Sequence, residues 1–330
     1  MASITLIIPV YNRPKEIDEL LESLTLQTLS DFEVIVVEDG SDISSEKIVD
    51  QYKDKLKVSY YFIPNGGPGK ARNYGAARAS SDYIIVLDSD CIIPPDYMKN
   101  VQNEIASTHA DAFGGPDKAS KDFTDVQKAI NYSMTSFFTT GGIRGGKQKM
   151  DKFYPRSFNM GIRKGAYEAL SGFSDMRFGE DIDFSIRLYK AGYKVCLFPS
   201  AWVYHKRRTD WKKFYRQVFN SGIARINLFL KYPDSLKLVH MLPALFTSGL
   251  VFLIIASFFN AWFLFPVLLY IFLIFIDSTI EMRQMKIGIL SVIASFIQLI
   301  GYGTGFLWAF WRRVILKRDE FSAFRKNFYK

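Results

Sequence analysis

From Leu242 to Ile276 the chain runs for 35 residues with almost no charge. About 20 consecutive apolar residues suffice for a helix to cross a bilayer. The block is therefore long enough for two short spans that turn near Asn260-Ala261. Ile287 to Phe310 is a further apolar stretch and contains Gly301, Gly303 and Gly305. Helices buried inside a soluble core are a poor alternative at these lengths, so the C-terminal part is expected to partner a lipid bilayer. The net charge of +9 and pI near 9.3 fit that reading. Much of the basic excess lies after residue 200 and flanks the apolar blocks, which favours lipid headgroups over nucleic acid. Basic residues precede the first span, recur at Arg283 and Lys286, and return at Arg312, Arg313, Lys317 and Arg318. The positive-inside rule would put all of them in the cytoplasm. Three full crossings cannot satisfy it, so either the glycine-bearing segment is re-entrant or broken, or the tail is an exception.

The first hundred residues have a different pattern. Ser3–Val10, Phe32–Val37, Val58–Ile63 and Tyr83–Leu87 are short apolar runs suited to strands buried on both faces. Helical spacing separates them: Ile17, Leu20, Leu21 and Leu24 after Pro14, a polar-faced segment at 42–54, and a helix from about Pro68 to Ala79. Successive β-α units imply an open, mostly parallel α/β sheet of Rossmann-like type with right-handed crossovers. Ligands of such sheets sit at the carboxyl ends of the strands. Pro9, Tyr11 and Asn12, then Glu38-Asp39, then Asp88-Ser89-Asp90 all lie at those ends. In an extended chain Asp88 and Asp90 would point to one face, where a divalent cation (Mg²⁺ or Mn²⁺) could relieve their repulsion and hold a diphosphate. A solvated turn after the strand is the alternative. Tyr11 could stack on a base and Asp39 could accept hydrogen bonds from a base or ribose. Asn65-Gly66-Gly67-Pro68-Gly69 could offer N–H groups to phosphate beside Lys70 and Arg72. The two cysteines, Cys91 and Cys196, imply no disulfide framework, and nothing near Cys91 has a zinc spacing. No basic segment followed by an apolar run opens the chain, so no signal peptide is expected.

Further on, residues 123–138 can form a helix with Val126, Ile130, Met134 and Phe137 on one face. Thr139–Lys152 reads as a loop whose Arg144, Lys147 and Lys149 could meet an anionic acceptor. Phe178-Gly179-Glu180-Asp181-Ile182-Asp183 is a second acidic centre at a helix start, where carboxylates also serve as caps. Residues 211–237 mix aromatic and basic side chains and read as one or two amphipathic helices at a membrane surface.

The stretches IIPVYNR, VVEDGS, GGPGKARNYGAARASSDYIIVLDSD and FGEDIDFSIRLYKAGYKV, in this order, resemble the family 2 glycosyltransferases over roughly residues 3–208. The resemblance implies the GT-A nucleotide-diphospho-sugar transferase fold and sugar transfer with inversion. It implies that Pro9, Tyr11 and Asn12 form the first donor loop, that Asp39 binds the donor base, and that Arg72 and Asn73 pack near the donor. Asp88 and Asp90 match the metal- and diphosphate-binding pair, and His205 a third metal ligand. Asp181 matches the catalytic base, with Glu180 beside it, and Asn159 lies where related enzymes contact donor and acceptor. Lys206, Arg207 and Arg208 could face diphosphate or headgroups. Gln217 is not followed by Arg-Trp, which argues against processive polymerisation.

The expected organisation is a catalytic domain at 1–208, interfacial helices at 209–240, two to four crossings within 241–311 and a basic tail at 312–330. The expected protein is a multi-pass enzyme of the inner (cytoplasmic) membrane with its catalytic domain in the cytoplasm. It would move a sugar from a nucleotide-diphosphate donor to a lipid-linked or envelope glycan. A non-catalytic nucleotide-sugar-binding or assembly subunit is the competing class, and the joint presence of Asp88, Asp90 and Asp181 argues against it. A nucleotidyltransferase on the same sheet fits the second acidic centre and the membrane end poorly.

Overall fold

The computed structural model describes residues 1–118, 123–140, 153–206 and 210–319. They form two compact units, one from residues 1–118 and 153–206 and the other from 123–140 and 210–319.

The first unit is built on a seven-stranded sheet. Its strands are β1 (Ile4–Val10), β2 (Glu33–Asp39), β3 (Lys57–Ile63), β4 (Tyr83–Leu87), β6 (Ala112–Gly114), β8 (Asn159–Arg163) and β9 (Val195–Leu197), in the order β3-β2-β1-β4-β8-β6-β9. All pairings among β3, β2, β1 and β4 are parallel, and β8 alone runs against its neighbours β4 and β6. A second sheet of three short strands joins β5 (Cys91–Ile92), β10 (Val203–His205) and β7 (Asp117–Lys118). Alternation along the strands divides the core in two, because successive side chains leave opposite faces. Leu6 and Ile8 face one side, packed with Leu20 and Leu21 of α1 (Pro14–Thr25) and Met98 and Val101 of α4 (Tyr97–Thr108). Ile7 and Val86 face the other, with Ala71 of α3 (Pro68–Ala76) and Phe184 of α8 (Glu180–Lys190). Sandwiching between two helical layers is why β1 and β4 are apolar on both faces, YIIVL throughout and ITLIIPV but for Thr5. The expected helix at 42–54 is shorter, α2 (Glu46–Asp50). A one-turn-and-a-half helix, α7 (Lys164–Ala169), follows β8.

The second unit is helical. The segment 125–140, placed by its sequence position within the catalytic domain, forms α5 (Asp125–Thr135) and α6 (Phe137–Thr140) and clusters with the C-terminal helices instead. A Thr124–Gln127 capping box starts α5. The amphipathic region is one helix, α9 (Trp211–Lys231), capped by the Asp210 carboxylate accepting from Lys213 N–H at 2.7 Å. Then follow α10 (Leu238–Ser257), α11 (Phe265–Met282) and α12 (Met285–Ala309). Three stretches, Leu238–Ser257, Ala261–Met282 and Met285–Ile315, are long and apolar enough to cross a membrane. The glycines do not break the last of them: α12 is continuous through all three. They bring helices together. A Cβ on Gly305 would meet the Phe219 carbonyl oxygen of α9 at 2.1 Å, and one on Gly222 of α9 the Tyr302 carbonyl oxygen at 2.3 Å. Small residues permitting such backbone approach are typical of apolar helix pairs.

Candidate active site

Each of the first four strands ends at the same edge of the sheet, and β8 begins there: Leu87 is paired with Asn159. The loops after β1, β2 and β4 thus converge. Asn12, in the left-handed region at φ 52°, ties two of them together. Its Oδ1 accepts from Asp42 and Ile43 N–H at 2.8 and 3.1 Å, and its own N–H donates to Ser41 Oγ. Its side chain is therefore occupied in holding the β1 loop to the β2 loop. Pro9 and Tyr11 are half-buried on either side of Val10, the last residue of β1.

Asp39 is buried at the end of β2. Gly66 and Gly67 N–H donate to its Oδ1 and Oδ2 at 2.7 and 2.9 Å. The glycine-rich segment thus spends these N–H groups on Asp39, which corrects the expectation that they face phosphate. Burial pushes the Asp39 carboxyl above its usual range, opposed by those two N–H groups and by Lys70.

β4 ends at Leu87, so Asp88-Ser89-Asp90 is not extended chain. The two carboxylates consequently part company instead of sharing one face. Asp88 Oδ1 accepts from Arg72 Nη2 at 3.0 Å. Asp90 Oδ2 accepts from Arg13 Nη1 at 2.5 Å, and its Oδ1 lies 3.1 Å from His205 Nε2. The His205 ring stacks on Phe158 at 4.9 Å. Ligand atoms of Asp90, Cys91 and His205 lie within 4.8 Å of one another. Asp90 and His205 supply the oxygen and nitrogen donors that a divalent cation such as Mn²⁺ accepts. Burial, then the charges of Asp90 and Asp88, push the Cys91 thiol well up, so it is not a ready thiolate ligand. The residues present fit a hard divalent ion at Asp90 and His205, with Asp88 close in sequence but turned to Arg72.

Arg72 joins the two acidic centres. Its guanidinium is almost wholly buried, donating from Nη2 to Asp88 and from Nη1 to Glu180 Oε1 at 2.8 Å. Burial works against its charge, but the two carboxylates outweigh burial and hold its pKa above the usual value. Glu180 opens α8. Burial and the neighbouring Asp181 charge push its carboxyl up against the pull of Arg72. Asp181 is mostly buried, and its Oδ2 pairs with Arg156 Nε at 2.8 Å. Asp183 is fully buried, accepting from Ser174 Oγ at 2.8 Å and Arg187 Nε at 3.0 Å. That environment makes Asp183 part of the scaffold. Asn73 is likewise a clamp: its Nδ2 donates to the Phe173 carbonyl, and its Oδ1 accepts from Phe173 N–H and the Tyr167 hydroxyl.

Asn159 needs correction as a contact residue. It is 0% exposed, with Oδ1 accepting from the Tyr97 hydroxyl at 2.6 Å and Nδ2 donating to the Ala201 carbonyl at 2.8 Å. Both ends of its amide are consumed inside the protein. Lys206 pairs with Glu19. Arg144, Lys147, Lys149, Arg207 and Arg208 lie outside the described residues. Two residues not singled out in the sequence, Arg13 and Arg156, hold Asp90 and Asp181. A signal for them existed: Arg13 closes the IIPVYNR motif already noted, Arg156 lies three residues before Asn159, and clustered carboxylates require compensating cations.

The sheet, its loop convergence and the paired acids define an α/β nucleotide-sugar transferase architecture, and the comparisons with known proteins agree. The family description "Glycosyl transferase family 2" matches residues 5–171, and the chain belongs to that family. Among curated proteins, the chain is 38% identical over 115 residues to a poly(ribitol-phosphate) beta-N-acetylglucosaminyltransferase, TarS, of Staphylococcus aureus. That match covers 34% of this chain and 20% of the relative. It is 36% identical over 118 residues to the succinoglycan biosynthesis protein ExoW of Rhizobium meliloti, covering 34% of this chain and 37% of that one. The chain thus matches well under half the length of these relatives. Among solved structures, a mannosyltransferase of Pyrobaculum calidifontis in complex with GDP-Man and Mn²⁺ superposes with a TM-score of 0.65 at 16% identity. The superposition covers 93% of this chain and 87% of that one. Residues 1–349 of S. aureus TarS with UDP-GlcNAc give a TM-score of 0.51 at 21% identity, covering 94% and 92%. These likenesses show the GT-A fold.

Proposed function

We propose that this glycosyltransferase moves a sugar, with inversion, from a nucleotide-diphosphate donor to a hydroxyl of a lipid-linked or cell-envelope glycan. The setting is the inner (cytoplasmic) membrane, with the sheet unit in the cytoplasm. The observation that carries the reading is the Arg72 bridge: one buried guanidinium ties the strand-end acid Asp88 to Glu180, which neighbours Asp181. Donor-side and acceptor-side carboxylates are thereby held as one constellation. The loops of Tyr11 and Asp39 receive the nucleotide, with Asp39 acting through the glycine loop it organises as well as through its own oxygens. Asp90 and His205 would hold a divalent ion, which would supply charge neutralisation for the departing diphosphate. Asp181 takes the proton of the acceptor hydroxyl, and Arg156 orients its carboxylate. Donor-bound proteins of similar fold and a neighbour holding Mn²⁺ support this assignment without fixing the sugar.

The test is nucleoside diphosphate release by the membrane-reconstituted protein, scanned over UDP-, GDP- and dTDP-sugars with and without acceptor extracts. Turnover with at least one donor, lost in excess chelator and restored by Mn²⁺ or Mg²⁺, is expected. Absence of turnover with every donor would favour a non-catalytic binding subunit, and full activity in chelator would remove the ion from the account.

A further inference from the structure

The three apolar helices are not equivalent. Only 11% of the apolar stretch of α10, and of α11, is buried within the protein, against 44% for α12. Besides the base of the α10–α11 pair, which meets it at Pro243 and Thr247 beside Gly303 and at Phe275 and Thr279 beside Gly288, α12 packs on two amphipathic helices. Phe214 and Val218 of α9 and Ala129 and Ile130 of α5 pack on it around Ala294, and Ile226 of α9 packs near Phe306 and Ala309. Helix α9 carries Lys212, Lys213, Arg216, Arg225 and Lys231 along its whole length, so it cannot cross hydrocarbon.

Chain reach then decides which side the ends of α12 occupy. Lys286, at the start of α12, pairs with Asp125 of α5 at 2.7 Å. Asp125 follows Lys118 of β7 by seven residues, which span at most about 25 Å fully extended. The hydrocarbon core is about 30 Å thick. Asp125, and Lys286 with it, must therefore lie on the side of the membrane that holds β7. At the other end, α9 starts six residues after His205 of β10, a reach of about 22 Å, and stays beside α12 as far as Ala309.

We infer that α12 is not a third crossing. It lies along the membrane surface together with α5 and α9, while α10 and α11 form a two-span hairpin with its tip at Asn260. The partner of α12's uncovered face is the headgroup and upper acyl region of one leaflet. Arg283, Lys286, Arg312 and Arg313 all fall on the catalytic side, which removes the conflict with the positive-inside rule. The inference goes beyond the sugar-transfer reading, and only the sidedness expected in its test rests on the cytoplasmic placement proposed there.

The test is thiol labelling in a Cys196→Ser background, in which Cys91 is buried. Asn260→Cys, Gln284→Cys and Asp319→Cys are exposed to a membrane-impermeant maleimide in intact cells and again after lysis. The expected result is that Gln284→Cys and Asp319→Cys label at least about tenfold less in intact cells than after lysis, while Asn260→Cys labels equally in both. Protection of one of Gln284→Cys and Asp319→Cys with equal labelling of the other would overturn the inference, because the ends of α12 would then lie on opposite sides; equal labelling of both with Asn260→Cys protected would reverse only the cytoplasmic placement. Identical behaviour of Asn260→Cys and both ends of α12 would overturn it too, because α10 and α11 would then not cross.

Discussion

At the end of β4, Asp88 and Asp90 stand two residues apart, yet Asp88 pairs with Arg72 and Asp90 with Arg13 and His205. At the start of α8, Glu180, Asp181 and Asp183 stand within one helical turn, and each answers to a different cation: Arg72, Arg156 and Arg187. The first centre is a chain leaving a strand, so direction changes residue by residue and the two acids separate. The second is a helix start, where successive residues rotate by about 100° and one acid necessarily turns to the core. Charge alone does not separate the acids proposed for donor and acceptor chemistry from Asp183. Surroundings differ most between Asp183, closed in by Ser174 and Arg187, and Asp88, which keeps 31% of its side chain exposed.

Arg72 is the shared element, so its loss should damage both centres. Arg72→Met leaves Asp88 and Glu180 without their buried cation, and a cost of about 3–5 kcal/mol in stability is expected. Arg72→Lys should recover only part of it, because a point charge cannot reproduce a fork reaching two carboxylates. Urea unfolding of the solubilised protein checks this, and full rescue by Lys would mean that the two acids are not jointly held. Asp183→Asn sharpens the contrast within α8. A stability loss of about 1.5–3 kcal/mol is expected from weakening hydrogen bonds to a charged group, with turnover of the folded fraction near normal. A collapse of turnover at unchanged stability would move the catalytic role to Asp183. The smallest effect concerns Arg13, which occupies one oxygen of Asp90. Arg13→Met should tighten Mn²⁺ binding without nucleotide by about tenfold, or 1.4 kcal/mol, read by Mn²⁺ spin resonance. Weaker binding would mean that Arg13 builds the ion site and does not compete for it.

Much of the sheet unit was legible. Short apolar runs such as YIIVL, bounded by turn residues, suit strands covered on both faces, and four of them alternating with helices point to parallel order and to the edge where acids gather. Residue partners were less legible. Asn159 begins a strand at the correct edge, but nothing local reveals that Tyr97, 62 residues earlier, takes its carbonyl. The Asp88–Asp90 spacing implied one shared face only because the strand was assumed to continue; it stops at Leu87. Residues 125–140 were misplaced for a similar reason. Their apolar face could pack on a sheet or on a helix, and only the long-range contact with α12 decides.

The division of labour between the two centres is the central claim, and one paired measurement addresses it. Nucleoside diphosphate affinity with Mn²⁺ and turnover at saturating donor are measured on Asp90→Asn and Asp181→Asn side by side. Asp90→Asn should lose affinity, while Asp181→Asn should keep it and lose about 10²–10⁴-fold in turnover, the usual contribution of a positioned base. Wild-type turnover in Asp181→Asn, or an equal loss of affinity in both variants, would contradict the account.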